Sequence, residues 1–442
     1  MQRRDFLTLM AAAASQAFRP RARWRAGVAT VDITPEAGIW MAGYSVRTCA
    51  AEGVGLPLHA KALALNDERG TRAVLVTLDL LGVTASLAAR VAETVRRRHG
   101  VAREGLLINA SHTHSGPVTG DMLSVAYDLS PERVAAIREY THGLERKITD
   151  VIDDALHRLR PVSLAIGEGR AQFAANRRVQ FTPDGPVDHA VPVLEVNERS
   201  GRPLAIVFGY ACHNTTLQDA NCRLHGDYAG VAQAVLERRH PGVTALFVAG
   251  CGGDVNPKPR GTMELVERHG TALADAVDGA RRSLVPVSGP LRPAYGVVDL
   301  PFAPTPERRE WEVRLDDADV YVRRHARLML DALDRDGRLP AAQAEPVQVW
   351  RFGASLTLVA LGGEVVVDYA LRLKRDYAGQ RLWVAAYSND VFGYVPSLRV
   401  LREGGYEAGG AMIYYGGPGP FAEPVEELIH GKIRELMSGG RA

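Results

Sequence analysis

The chain is short of cysteine, has no long apolar run and carries no surplus of charge of either sign. Four cysteines in 442 residues (Cys49, Cys212, Cys222, Cys251), with no CxxC pair, exclude a zinc finger and a disulfide framework. They read as buried thiols, with a Cys212–Cys222 bridge left open for an oxidising compartment. No apolar stretch approaches the ~20 residues that span a bilayer, so no transmembrane segment is expected. Lys+Arg 53 against Asp+Glu 51 leaves +2, without the basic excess of a dedicated nucleic-acid binder. Internal repeats and low-complexity linkers are also missing. What is present is ordinary for a folded, soluble protein: 46% hydrophobic and 24% charged residues.

Residues 1–17 (MQRRDFLTLMAAAASQA) combine a positive start, a short Ala-rich apolar stretch and a small-residue end, the pattern of a cleavable export signal. Arg3-Arg4 followed by Asp5, Phe6 and Leu7 resembles a bacterial twin-arginine signal. The alternative reading is a frayed basic helix. Export would put the mature chain in the periplasm or outside the cell, with residues 18–442 as a single catalytic domain.

Apolar runs predict strands at 74–81, 106–110, 162–167, 191–196, 205–210, 245–249, 347–352, 356–361 and 382–386. Helical spacing predicts helices at 85–99, 227–239, 263–281 and 306–333. A further long helix runs to about residue 159 from Ser130, an N-cap with Pro131 behind it. This alternation predicts an α/β fold of three layers, a mixed central β-sheet flanked by helices.

Five polar or Gly-rich segments follow the ends of predicted strands: 111–117, 211–214, 250–257, 362–364 and 387–390. In open α/β sheets, ligands bind outside the carboxyl ends of the strands. His112, His213 and Glu364 come from three of these segments, and two imidazoles with a carboxylate are a set used by hydrolytic zinc sites. From the residues alone two alternatives stay open. Each His is also explicable as a hydrogen-bonded core residue, and Glu364 as a favourable charge opening an apolar helix. His114 lies two positions from His112, so it is either a further ligand or a neighbouring proton donor.

At these residues the chain resembles a family. Residues 109–117 (NASHTHSGP), the Cys212-His213 pair, Gly253-Asp254-Val255-Asn256-Pro257, residues 27–35 (GVATVDITP) and Met41-Ala42-Gly43-Tyr44 resemble the neutral/alkaline non-lysosomal ceramidases, zinc amidases. The resemblance runs from about residue 26 to 430 and implies that family's catalytic fold and one zinc ion per chain. Carried over, it makes His112, His213 and Glu364 zinc ligands and adds Tyr394, from a segment resembling SNDVFGYVP. It further implies that Tyr406 helps hold the oxyanion, that His114 lies near the scissile bond, and that Arg177 belongs to the substrate site.

Two departures stand out. Asn256 occupies the place of a family serine, so the nucleophile implied is a metal-activated water, with Asn256 left to orient substrate. The family's additional C-terminal domain has no counterpart, which makes this a short form, and the resemblance transfers the reaction type rather than ceramide itself. The expectation is a zinc amidohydrolase acting on a small-molecule or lipid-like N-acyl amide, with His114 as general acid. Asp254 is read either as orienting a ligand histidine, hence among the substrate-site residues, or as a turn residue. His225-Gly226-Asp227 reads mainly as a helix cap, and residues 404–419, with seven glycines, as a mobile loop lining the pocket. Rival readings are a zinc esterase, a two-metal phosphoesterase and an exported ligand-binding protein.

Overall fold

In the computed structural model, which describes residues 24–439, most strands are buried along nearly their whole length, so that each main sheet has two packed faces. Residues 1–17, expected to be an export signal, and residues 18–23 lie outside the described residues. The larger, nine-stranded sheet runs in the order Thr244–Ala249, Pro203–Tyr210, Ala190–Glu198, Arg160–Arg170, Trp24–Asp32, His59–Asp67, Arg72–Leu78, Leu106–Ala110, with Val285–Pro286 added to Arg160–Arg170. The outermost pairs at both edges are parallel and the pairings between them antiparallel. The expected mixed sheet flanked by helices is therefore present.

The period of two along each strand divides the core. Ala62, Ala64, Ile206 and Phe208 join the helical core, whereas Leu63, Leu65, Ala205 and Val207 face the other way. That second face meets Trp350, Phe352, Leu358 and Trp383 of a separate four-stranded sheet, ordered Leu291–Pro301, Ala342–Phe352, Leu356–Leu361, Leu382–Ala385. The stretches at 347–361 thus build a second sheet packed on the first rather than extending it. Its own far face carries Val347, Val349 and Leu361 against Tyr369, Ile429 and Ile433 of the helices Asp368–Asp376 and Val425–Ser438.

The helices expected at 85–99 from spacing and from Ser130 onward by its cap both form. Ala85–His99 starts on Thr84, whose hydroxyl accepts from Leu87 N, and ends on left-handed Gly100. Pro131–His157 starts on Ser130, which accepts from Arg133 N. The helix expected at 306–333 is two, Arg308–Arg314 and Val320–Asp336, because the Asp319 carboxylate accepts from Tyr321 N and restarts the chain. The expected mobile loop at 404–419 is largely folded, into a wide turn at Tyr406–Gly410 and a short helix, Met412–Tyr415.

The cysteine expectation needs correction. Cys49 and Cys222 form a disulfide, with Cα atoms 5.9 Å apart, and Cys212 and Cys251 are the buried free thiols. Cys212 lies two residues past the core strand Pro203–Tyr210 and packs under Gly252, whereas Cys222 sits on a loop paired with residues near Cys49 through Glu52 N to Cys222 O at 2.8 Å.

Candidate active site

The nine-stranded sheet curls until its two edges nearly meet, and the Asn109 side chain joins them. Its Oδ1 accepts from Ala249 N at 2.9 Å, while its Nδ2 donates to Ala386 O at 2.7 Å and Ser388 Oγ at 3.1 Å. Three chain segments following strand ends are thereby drawn to one point. Asn109 was visible in the sequence as part of the motif, but nothing there identified it as the joint.

His112 adopts φ 60, a left-handed conformation uncommon outside glycine. Backbone bonds hold it there, from His112 N to Leu80 O at 2.9 Å and from Ser111 N to Leu78 O at 2.8 Å. Its ring Nδ1 sits 2.7 Å from Leu81 O, and the Nδ1 of His213 sits 2.7 Å from Gly252 O. Gly252 is required by closeness: a Cβ there would lie 2.7 Å from Cys212 N. A carbonyl accepts only, so each Nδ1 must be the donor, and the tautomer this leaves to a neutral ring presents an Nε2 lone pair. Burial, helped by Arg177, pushes His213 down to about 4, keeping that ring neutral near pH 7.

Glu364 lies on a two-residue strand, Glu364–Val365, paired with Tyr394–Val395, and the helix follows only at Asp368. The reading of Glu364 as a helix-opening charge is thus overturned. Its Oε2 lies 3.0 Å from His112 Nε2 and 2.9 Å from His213 Nε2. With both imidazole protons committed elsewhere, this buried oxygen receives no hydrogen bond. Three electron-rich atoms facing one another without a proton between them form an arrangement that a cation would satisfy. Residue types and carbonyl-fixed tautomers both fit zinc.

Around this point the other candidates gather. His114 Nε2 is 3.1 Å from His112 Nε2, so the three imidazoles form one buried group able to hold a metal. Burial and the neighbouring imidazoles hold His114 well below the usual histidine range, hence neutral. Gly43, at φ +102, packs on this ring so tightly that a Cβ would lie 2.4 Å from Nδ1. Tyr394 places its hydroxyl 3.2 Å from His213 Nε2 and stacks on that ring, with centroids 6.2 Å apart. Arg177 donates to the Tyr394 hydroxyl at 3.0 Å and to Glu407 at 2.7 Å, and reaches Asn256 Oδ1 at 3.5 Å. Tyr406, half-exposed, meets Tyr394 edge-on at 5.4 Å.

Asp254 is not among them. Its carboxylate is fully buried and accepts from Val367 N at 2.9 Å and from Asn176 Nδ2 at 2.8 Å, touching neither histidine nor cavity. It fastens the segment after Glu364 to the loop that carries Arg177. His225-Gly226-Asp227 is likewise structural: His225 Nδ1 accepts from Asp227 N at 2.9 Å, and Asp227 accepts from Leu217 N at 2.8 Å.

Two contributors carry no sequence signal. The Tyr415 hydroxyl donates to Glu364 Oε1 in a short hydrogen bond. Arg178, buried beside Arg177, pairs with Glu407 and Glu403. The site cavity holds about 190 Å³ and is lined by His114, Glu364, Tyr394, Tyr406 and Tyr44 among others. Larger cavities, about 410 and 570 Å³, lie elsewhere and contain no histidine, so chemistry rather than volume identifies the site.

Comparison with known proteins gives a consistent relationship. A family model described as neutral/alkaline non-lysosomal ceramidase, N-terminal, matches residues 24–269. Neutral ceramidase A of Dictyostelium discoideum is 25% identical over 265 residues, covering 54% of this chain and 36% of that protein. Neutral ceramidase 1 of Arabidopsis thaliana is 26% identical over 225 residues, 48% of this chain and 28% of that protein. The matches thus span about a third of the relatives' length. Among solved structures, the Pseudomonas aeruginosa neutral ceramidase superposes with a TM-score of 0.72 at 21% identity, covering 94% of this chain and 74% of that one. A ceramidase complexed with C2 gives 0.73 at 20% identity, covering 94% and 75%. These two likenesses show a shared fold.

Proposed function

Because the chain belongs to the neutral/alkaline non-lysosomal ceramidase family, we propose that it is a zinc-dependent amidohydrolase cleaving an N-acyl amide, either ceramide or another N-acyl amine. The observation that carries this is the meeting of Glu364 Oε2 with two imidazole Nε2 atoms and no donor. His112, His213, Glu364 and the Tyr394 hydroxyl would hold one zinc ion, which when bound polarises a carbonyl and acidifies a water.

The remaining work falls to the chain's own groups. Hydrolysis adds water across the C–N bond: its oxygen joins the acyl carbon, one proton goes to the leaving nitrogen, and the carboxylic acid so formed passes the second proton to the freed amine, so that a carboxylate and an ammonium separate. Neutral His114 can take that proton at a ring nitrogen and deliver it to the amine. The Tyr406 hydroxyl, at the cavity edge, donates to the oxygen where negative charge develops. Arg177 keeps the Tyr394 hydroxyl against His213, and Asn256 offers its amide to substrate from beside Arg177. With Asn256 in place of a serine, water is the nucleophile.

Residues 1–17 act in this reading as a twin-arginine export signal and residues 18–442 as a single catalytic domain working in the periplasm or outside the cell. A two-metal phosphoesterase is disfavoured. Among the described residues His112, His114 and His213 are the one such metal-binding group, and the second Glu364 oxygen is taken by Tyr415 rather than free to bridge two ions.

Elemental analysis of wild type and of Glu364→Ala and His213→Ala tests the proposal. It expects a single zinc in the wild type and loss of the metal in both variants, together with hydrolysis of N-acyl amides faster than of matched esters. No metal, or two per chain, would sink it.

A further inference from the structure

The cavity is small and its walls are tied down. At about 190 Å³ it lies below the ~300–1,000 Å³ of pockets that enclose drug-sized ligands. One wall is Tyr44, whose hydroxyl donates to Leu217 O at 2.8 Å and whose ring packs on His114 with centroids 4.8 Å apart. Behind it, buried Arg47 donates to Ala42 O and to His114 O, each at 2.8 Å, and the Cys49–Cys222 disulfide ties the same loop to residues 217–224. The roof is Tyr414, packed edge-on against Tyr321 at 5.3 Å, whose hydroxyl donates to Ser45 O at 3.0 Å. The far side is Tyr415 and Tyr394, each with its hydroxyl already engaged. Widening the cavity means breaking several of these contacts together, and the interior around them is close-packed.

We infer that this site takes a compact N-acyl amide with a short acyl group, rather than an amide bearing a long alkyl chain on each side of the scissile bond. The inference rests on the amidohydrolase reading and narrows its substrate class. The aromatic walls suit a small, partly apolar acyl group, and the cavity opens to solvent past Val46 and Tyr406, where a compact amine would lie.

Two measurements on the zinc-loaded full chain test it. Calorimetric titration with acetyl, butanoyl and hexadecanoyl hydroxamates, below their aggregation concentrations, reads the acyl pocket without turnover. Hydrolysis of the same acyl series on one fluorogenic amine reads it with turnover. The expectation is that acetyl or butanoyl exceeds hexadecanoyl by at least about tenfold in both, since an extra methylene in a confined pocket already weighs heavily. Tyr414→Ala, which removes part of the roof, should narrow that gap severalfold.

Equal or better binding of the hexadecanoyl compound overturns the short-acyl inference and leaves the amidohydrolase standing. A gap unmoved by Tyr414→Ala also overturns it, because the wall would not be setting the limit. Failure of every chain length in both measurements brings down the amidohydrolase reading and the inference together.

Discussion

On the cavity floor, His112 and His213 are aimed by backbone carbonyls, at Leu81 and Gly252. On the rim, the turn that carries Tyr406 is held by charge: Arg178 pairs with Glu403 and Glu407, Glu407 pairs with Arg177, and Arg399 pairs with Glu403 at 2.9 Å. Carbonyl contacts are indifferent to salt and come from strand ends that the sheets fix in place. The ionic rim joins the turn after the short strand Ala174–Asn176 to the helix Leu398–Glu403 and the wide turn behind it. The floor is therefore suited to preserving one chemistry and the rim to adjusting what reaches it.

The largest expected effect breaks the floor. Glu364→Gln removes the charge that faces two lone pairs, and activity should fall by at least about 10³-fold with loss of stoichiometric metal. An active, metal-loaded Glu364→Gln protein would show that the floor is not the reaction centre.

Breaking the rim comes next. Arg178→Met removes one of the two guanidinium partners of both Glu407 and Glu403, which keep Arg177 and Arg399, at an expected cost of about 1.5–3 kcal/mol. The expected outcome is a clear loss in thermal unfolding temperature, with metal content retained. Loss of metal in this variant would mean that rim and floor are not separable.

Cys49→Ser opens the wall between them and should cost about 2–4 kcal/mol, because the bridge closes a loop across 173 residues. Reducing agent should lower the unfolding temperature of the wild type and leave the Cys49→Ser chain unmoved.

Tyr415 is where rim touches floor. Tyr415→Phe deletes only the hydroxyl that holds Glu364 Oε1, and zinc affinity measured by chelator competition should weaken by about tenfold. An unchanged affinity would make Tyr415 a spacer.

The smallest effect concerns Asp390, which accepts from Ala85 N at 3.0 Å and whose carboxyl burial pushes up to about 7. A raised folded pKa favours the protonated folded form. Its contribution is full below the ordinary value of 3.8 and is lost as pH climbs through 7. Asp390→Asn should therefore raise the unfolding temperature by about 2–4 °C at pH 8 and leave it unchanged at pH 4.

The floor was largely legible in the sequence. His112, His213 and Glu364 each follow an apolar strand, and the cap at Ser130 announced its helix. The rim was legible only through resemblance, for Tyr394, Tyr406 and Arg177. Tyr415, Arg178 and the Cys49–Cys222 bridge act through partners 51, 229 and 173 positions away, and neither periodicity nor capping carries information over such spans. Of the two readings of Asp254, the structural one fits its contacts. Its Gly-Gly setting announces a special backbone position, and the carboxylate serves that backbone, at Val367, rather than a ligand histidine.

The two sheets also deserve to be seen as the halves of a clasp. Both imidazoles leave the larger sheet, while Glu364 and Tyr394 arrive only with the smaller one, more than 90 residues past the end of the matched family segment. A proteolytic nick between the sheets, or warming that slides one over the other, would part ligand from ligand while each sheet kept its own hydrogen bonds. Metal release would then precede loss of circular dichroism, so the bound ion would report whether the two halves of this molecule are still joined.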